Sequence, residues 1–340
     1  MRRKGSEIFR DMKTRKHEKI APANREGKVR QSTSRHWLAA ALGMAVLLAG
    51  PGALRAGNVY VPNYSFESPD IGTNSPYAAP VLDFWEESSQ PSWYVPAEFY
   101  NTPWADLVGT FYNLPDFTNS MGTNSSYIYN CDGVQAAFLF ALPQVAIFQD
   151  LAATFNAGKA YTLTVGLVGG GGDMAEGSTL QLSLYYRDAS SNMVTVAATT
   201  VTNTVENFPT NTHLVDFQVQ VPGVIAADAW AGRTMGIQLL ATPDFNDPGQ
   251  WGGYWDADKV RLVETTALNL ANPSITGGSL QFTVQSEPNA VFQILAATNL
   301  TLPASNWTSL ATLTNVTGSL PFVNATSGAG RRFYSAQQLP

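Results

Sequence analysis

The sequence predicts an all-β protein, an antiparallel β-sandwich followed by a second and smaller one. Three observations lead there. Apolar and polar residues alternate with a period of two in run after run, Gly, Pro, Asn and Asp clusters separate the runs, and no convincing amphipathic helix interrupts them. Without helices to cover both faces of a sheet, a parallel βαβ architecture loses to an antiparallel one.

The clearest strand is Tyr161, Leu163, Val165 and Leu167 alternating with Thr162, Thr164 and Gly166. One face of such a segment is apolar, so it is half-buried. The pattern returns at Leu180, Leu182, Leu184 and Tyr186, at Val215, Phe217, Val219 and Val221, at Met235, Ile237 and Leu239, and at Val260 and Leu262. Turn clusters lie between at Gly169 to Gly172, Asp188 to Asn192 and Asp244 to Gly253. Residues 58–265 therefore form one sandwich with long loops in its first half. Thr266 to Pro273 reads as a short linker, and residues 274–340 read as a small sandwich of the immunoglobulin or fibronectin type. Its strands are Ser279 to Gln285, Val291 to Thr298, Trp307 to Thr314, Ser319 to Val323 and Arg332 to Ala336.

Residues 1–56 read as a signal peptide. The chain is polar and basic up to Arg35, apolar from Trp37 to Leu48, and small and turn-prone from Ala49 to Ala56, with cleavage expected after Ala56. The apolar run is shorter than the ~20 residues that span a bilayer, and no later stretch reaches membrane length. The expected location is outside the cytoplasm: secreted, periplasmic or at the cell surface.

Removing that segment changes the electrostatics. It holds 13 of the 20 Lys and Arg but 4 of the 26 Asp and Glu, which leaves 7 bases against 22 acids and a net charge of about −15. So few bases cannot neutralise a phosphate backbone, so nucleic acid is excluded as a partner. A carboxylate surplus is compatible with divalent cations. Cys131 is the single cysteine, so no intramolecular disulfide staples the fold and a large core must stabilise it.

Four short motifs in order carry a resemblance: Val61-Pro62-Asn63-Tyr64-Ser65-Phe66-Glu67 at the start, Asp132-Gly133-Val134-Gln135 and on to Leu139, Gln149 followed by Ala157 to Val165, and Trp255-Asp256-Ala257-Asp258-Lys259-Val260-Arg261-Leu262 at the close. Together they resemble the galactose-binding-like jelly rolls of secreted bacterial proteins. That group includes carbohydrate-binding modules and calcium-dependent cyclases of the hapalindole type. The C-terminal module, with Phe292-Gln293-Ile294, Trp307 and Arg332-Phe333-Tyr334, resembles an accessory β-sandwich found at the end of exported proteins of Verrucomicrobia. The resemblance implies a jelly roll over roughly residues 59–263 and a structural calcium beside its first and last strands. Glu67 and Asp258 match the acidic ligand positions, with Asp256 as an extra ligand. Such a metal would clip the ends of the domain together, since a hard cation gathers six to eight oxygens.

Other candidates carry less chemistry. His213 is expected to pack at a strand edge and Cys131 to be an inert thiol; no Gly-x-Ser-x-Gly elbow accompanies them. The loop Asp244 to Gly249 departs from an EF-hand and reads as turn chemistry, and Gly169 to Gly172 lacks the Lys-Ser/Thr of a phosphate loop. Glu86, Glu87, Glu98 and Asp106 supply carboxylates in the early loops, whose separations decide whether any two act as a pair. Aromatic residues crowd the same loops, and Trp85, Trp93, Trp104 and Trp251 are the candidates for stacking on sugar rings. The balance favours a non-catalytic carbohydrate-binding protein whose partner is a glycan or cell-surface polysaccharide. The alternatives are a structural surface or adhesion protein and a calcium-dependent enzyme of the jelly-roll cyclase type.

Overall fold

The computed structural model describes residues 57–72, 78–114, 118, 119, 122, 123, 127–325 and 331–339. The signal-peptide expectation for residues 1–56 falls outside them. Two antiparallel sheets make the first sandwich. The seven-stranded sheet runs Val215–Val221, Lys159–Gly171, Tyr254–Thr266, Gln135–Phe140, Val108–Tyr112 and Ala78–Ala79, with Gly57–Val59 also pairing on Tyr254–Thr266. The five-stranded sheet runs Met193–Thr202, Thr179–Arg187, Thr234–Ala241, Ala146–Thr154 and Glu86–Glu87.

The predicted alternation decides which side chains face the interior. Leu163, Val165 and Leu167 of one sheet meet Leu180, Leu182, Leu184, Ile237 and Leu239 of the other in a single buried cluster that also takes in Trp255 and Phe155. Each fully buried side chain of this size contributes about 1.5–3 kcal/mol, which is how the fold dispenses with disulfides. Gly169 to Gly171 belong to the strand and not to a turn. Gly169 lies against Phe208, and Gly171 lies under the Tyr254 ring.

The segment from 78 to 112 leaves the free edge of one sheet for that of the other and returns. Ala78–Ala79 pairs with Phe111 and Thr110, whereas Glu86–Glu87 pairs with Phe148 and Ile147. This long connection closes one open side of the sandwich, and its buried Trp85, Trp104 and Leu107 plug the gap.

The small sandwich differs from expectation at its start. Asn269–Thr276 is a strand and not part of a linker: it pairs with Ser279–Gln285 through a tight turn at Gly277 and Gly278, both at positive φ. Pro273, the last residue of the expected linker, lies inside this strand. It sits where the register shifts between Ala271 and Ser274 on an edge strand, the place where a missing N–H does least harm. The three-stranded sheets Asn269–Thr276, Ser279–Gln285, Ser319–Ala325 and Thr308–Asn315, Ala290–Ala297, Phe333–Gln338 enclose Phe282, Val284, Phe292 and Ile294.

On the outer face of the five-stranded sheet Tyr185 lies flat across Gly236, and its hydroxyl donates to Asp150 Oδ1 at 2.7 Å while Arg187 Nε donates to Oδ2 at 2.8 Å. A Cβ at Gly236 would stand 2.0 Å from Tyr185 Cζ. Gly236→Ala is therefore expected to cost about 1–3 kcal/mol in urea unfolding, and much less in a Tyr185→Ala background. Equal costs in both backgrounds would refute the close approach as the cause.

Candidate functional site

The opening and closing motifs meet along one edge of the last jelly-roll strand. Tyr254 to Ala257 pair there with Gln135–Phe140, and Leu262 to Glu264 pair with Gly57–Val59. Between those partners the strand bulges at Asp258 to Arg261. The turn Asn63 to Phe66 fills the gap: Phe66 N–H donates to the Asn63 carbonyl at 3.2 Å, and Val260 N–H donates to the Tyr64 carbonyl at 2.9 Å. Asn63, Phe66 and Lys259 all take positive φ there, strain that the neighbouring pairings hold in place.

Two carboxylates then grip the turn that precedes Gln135–Phe140. Glu67 Oε1 accepts the N–H groups of Val134 at 2.9 Å and Gln135 at 2.8 Å. Asp258 Oδ2 accepts from Asp132 N–H at 2.6 Å and from the Cys131 thiol at 3.1 Å, and its Oδ1 accepts from Lys259 N–H at 2.7 Å. Gly133 is required between them. Its φ is +84°, and a Cβ would lie 2.4 Å from Glu67 Oε1. Burial raises the Asp258 carboxyl to about 6, against the pull of those donors, and burial pushes the Cys131 thiol up as well, so the thiol is a poor nucleophile.

Asp256 does not join this pair. It is fully enclosed one pleat away, between its cross-strand partners Phe138 and Val168, and its Oδ1 has no hydrogen-bond partner. Burial raises its carboxyl well above the usual range. Among the described residues no three His, Cys, Asp or Glu side chains gather closely enough to hold a metal ion. Glu67 and Asp258 nonetheless flank one turn as hard oxygen donors, with Asp132 adding a third negative charge to Asp258's surroundings. Two carboxylates are donors of the kind a calcium ion takes; Asp256, buried between Phe138 and Val168, does not suit it.

The four tryptophans divide into two kinds. Trp85 and Trp104 are both 5% exposed, with their indole N–H groups donating to the carbonyls of Asn63 at 3.3 Å and Ser88 at 2.6 Å. Neither offers a ring face to a ligand, so they serve as core plugs of the long connection. Trp93 and Trp251 are half-buried, with ring centroids 5.3 Å apart, and Phe245, 49% exposed, lies 5.5 Å from Trp93 and 5.7 Å from Trp251. Trp104 and Phe99 back Trp93 edge-on at 6.2 and 6.3 Å. The result is a shelf of aromatic rings with polar groups beside it. Trp93 Nε1 donates to Gln144 Oε1 at 3.2 Å, Trp251 Nε1 donates to the Asp244 carbonyl at 2.9 Å, and the neighbouring turn is held by Asp244 and Asp247 accepting the N–H groups of Asn246 and Gly249. Phe245 and Gln144 escaped the sequence reading. An exposed Phe inside a turn of Asp, Asn, Pro and Gly was the available signal.

A shallow cleft of about 380 Å³ lies on the other side of the turn Trp104–Leu107, lined by Asp83, Trp85, Glu87, Ala105 and Val108 among others. Of the early carboxylates, Glu87 and Asp106 come within electrostatic reach, and burial followed by the Asp106 charge raises the Glu87 carboxyl. Glu86 turns toward the Arg187 cluster instead. His213 is exposed and stacks on Tyr129 at 5.3 Å, and among the described residues its ring bonds its neighbour Thr212. No acid–base relay is built on it.

Comparison with known proteins gives a consistent picture. A cyclase from Fischerella sp. TAU is 18% identical, with a TM-score of 0.45 over 63% of this chain and 100% of its own. The C-terminal family 22 carbohydrate-binding module of Clostridium thermocellum Xyn10B is 10% identical, with a TM-score of 0.29 over 55% of this chain and 87% of its own. TmCBM61, solved with β-1,4-galactotriose, is 14% identical, with a TM-score of 0.28 over 61% and 98%. No curated protein matches the chain. The family model described as HpiC1-like, HpiC1 cyclase, matches residues 57–263, more than half of the chain and the whole of the first sandwich from its opening strand to its closing motif. The chain belongs to the HpiC1-like cyclase family.

Proposed function

We propose that the chain is an exported glycan-binding protein whose stacking surface is the shelf of Trp93, Trp251 and Phe245. The observation that carries this is the clustering of two half-buried indole rings and the exposed Phe245 beside polar groups, the Gln144 side chain and the Asp244 carbonyl. Sugar rings present C–H faces to aromatic rings and hydroxyls to amides and carboxylates, and Gln144, Asp244 and Gln250 stand where those hydroxyls would fall. The shelf rests on two loops anchored in the sandwich edges, so its rings are placed before any ligand arrives. A cell-surface or extracellular polysaccharide is the partner that fits the expected export.

The same proposal assigns Glu67 and Asp258 a structural calcium. Their carboxylates would be its side-chain ligands, and it would supply the positive charge that a buried Asp258 otherwise lacks. A second reading follows from Asp256, a buried carboxyl whose affinity for its proton is raised by burial and whose Oδ1 is unpartnered beside Phe138. A ring-forming reaction started by protonation needs such a sheltered acid, with aromatic faces to stabilise the cation produced. Access favours the first reading, because the shelf is open while Asp256 is 5% exposed.

Three measurements test these assignments. Affinity electrophoresis on xylan, β-glucan and galactan should show retention for the wild type that falls at least tenfold in Trp93→Ala and Trp251→Ala, both still folded. Unchanged retention in both would remove the shelf from function. Asp258 fixes a pH effect. Its folded carboxyl titrates above an unfolded one, so the protonated form is favoured on folding, and stability is lost as pH rises from about 4 through about 6, by on the order of 3 kcal/mol. In chelator, the midpoint should therefore fall more steeply over that range for the wild type than for Asp258→Asn. Calcium at pH 7 should raise the midpoint of the wild type alone. Identical pH slopes would sink the carboxyl account, and an unmoved wild-type midpoint would sink the metal. Finally, the wild type and Asp256→Asn are offered the substrate of the Fischerella cyclase; a ring-closed product from the wild type only would establish the acid role, and no product from either would dismiss it.

A further inference from the structure

The cleft beside the turn Trp104–Leu107 has a lining unlike that of the shelf. Pro69, Val81, Leu82, Trp85 and Val108 form apolar walls, and the charged groups on its surface, Asp83 and Glu87, are both acids. Its volume of about 380 Å³ lies within the range of small-molecule sites.

The two carboxylates are differently held. Asp83 Oδ2 accepts the Ser68 hydroxyl at 2.5 Å, and its backbone carbonyl accepts Asn63 Nδ2 at 3.0 Å, so it is fixed to the opening turn of the domain. Glu87 sits on the edge strand Glu86–Glu87, whose backbone pairs with Phe148 and Ile147, and its side chain enters none of the hydrogen bonds or ion pairs among the described residues, although Asp106 adds negative charge nearby. The ion pairs among the described residues engage Lys159 with Glu264, Arg187 with Asp150 and Arg261 with Asp216, and none reaches Asp83 or Glu87.

A cleft with apolar walls on one part of its lining and two carboxylates on another selects for charge and shape at once. An anion is repelled, a neutral apolar body leaves the carboxylates unanswered, and a bare inorganic cation leaves the walls unused. We propose that this cleft binds an organic ammonium ion with an aliphatic or arylalkyl body, its cationic head between Asp83 and Glu87 and its body against Trp85, Leu82 and Val108. Trp85 contributes here by its exposed edge only, since its faces are packed in the core. The site is separate from the aromatic shelf and does not depend on glycan binding.

The test uses 4-phenylbutylammonium and its anionic isostere 4-phenylbutyrate with the mature chain, followed by isothermal titration and by protein-detected chemical shifts. The cation should bind with a Kd below about 1 mM, weaken at least fivefold in Glu87→Gln, and weaken further as salt rises. The anion should not bind, and Trp93→Ala should leave cation binding unchanged, which separates this site from the shelf. Asp83→Asn is a second probe; Glu87→Gln, at an exposed position without partners, keeps its fold and decides the matter alone if the Asp83 variant unfolds. Equal binding of cation and anion, indifference to Glu87→Gln, or no binding of the cation would each overturn the proposal.

Discussion

The jelly roll depends on how one strand edge is shared. Tyr254–Thr266 has to pair with Gln135–Phe140 at one end of that edge and with Gly57–Val59 at the other, which leaves a stretch between them without a ladder partner. Backbone N–H groups of Asp132, Val134, Gln135 and Lys259 point into that stretch, and a buried donor left unmade costs about 1–3 kcal/mol. Ionised carboxylates answer this because they are acceptors only and take several donors at once. Glu67 and Asp258 therefore tie the first strand, the middle turn and the last strand into one unit, whether or not a cation joins them.

The same strand holds two acids in different surroundings. Asp256 and Asp258 are two residues apart and share a face, yet Asp258 has three donors on its carboxylate while Asp256 Oδ1 has none. Burial raises both, and only the donors draw Asp258 back toward ionisation. Spacing alone makes them look like one ligand set. The neighbouring segments separate them, because Phe138 and Val168 flank Asp256 whereas the turn from 131 to 135 brings the Cys131 thiol and the Asp132 N–H to Asp258.

Legibility followed the same divide between local pattern and long-range packing. Period-two alternation placed Leu163, Leu182 and Leu239 inside because it is a property of each strand alone. The strand Asn269–Thr276 overlaps the expected linker because it is mostly exposed and carries no period-two apolar pattern to reveal it. The tryptophans show the limit most clearly. All four have their indole N–H bonded, so polarity does not sort them. What sorts them is whether the chain folds back over the ring, which Ser88 and Asn63 decide for Trp104 and Trp85 from 16 and 22 residues away.

Both candidate sites lie beside one connection, and the reason is architectural. The sandwich has free edges at Ala78–Ala79 and Glu86–Glu87, and the chain from 78 to 112 crosses between them, so it must carry its own apolar plugs while its remaining side chains stay outside. Trp104 faces the shelf while Ala105 and Val108 face the cleft, so a single turn of 3₁₀ helix presents different surfaces to its two sides. A segment of this kind is free to change its outward residues without disturbing the core that its inward ones complete. The turn from 242 to 252 meets this connection at Trp93, where Phe245 and Trp251 pack on its ring.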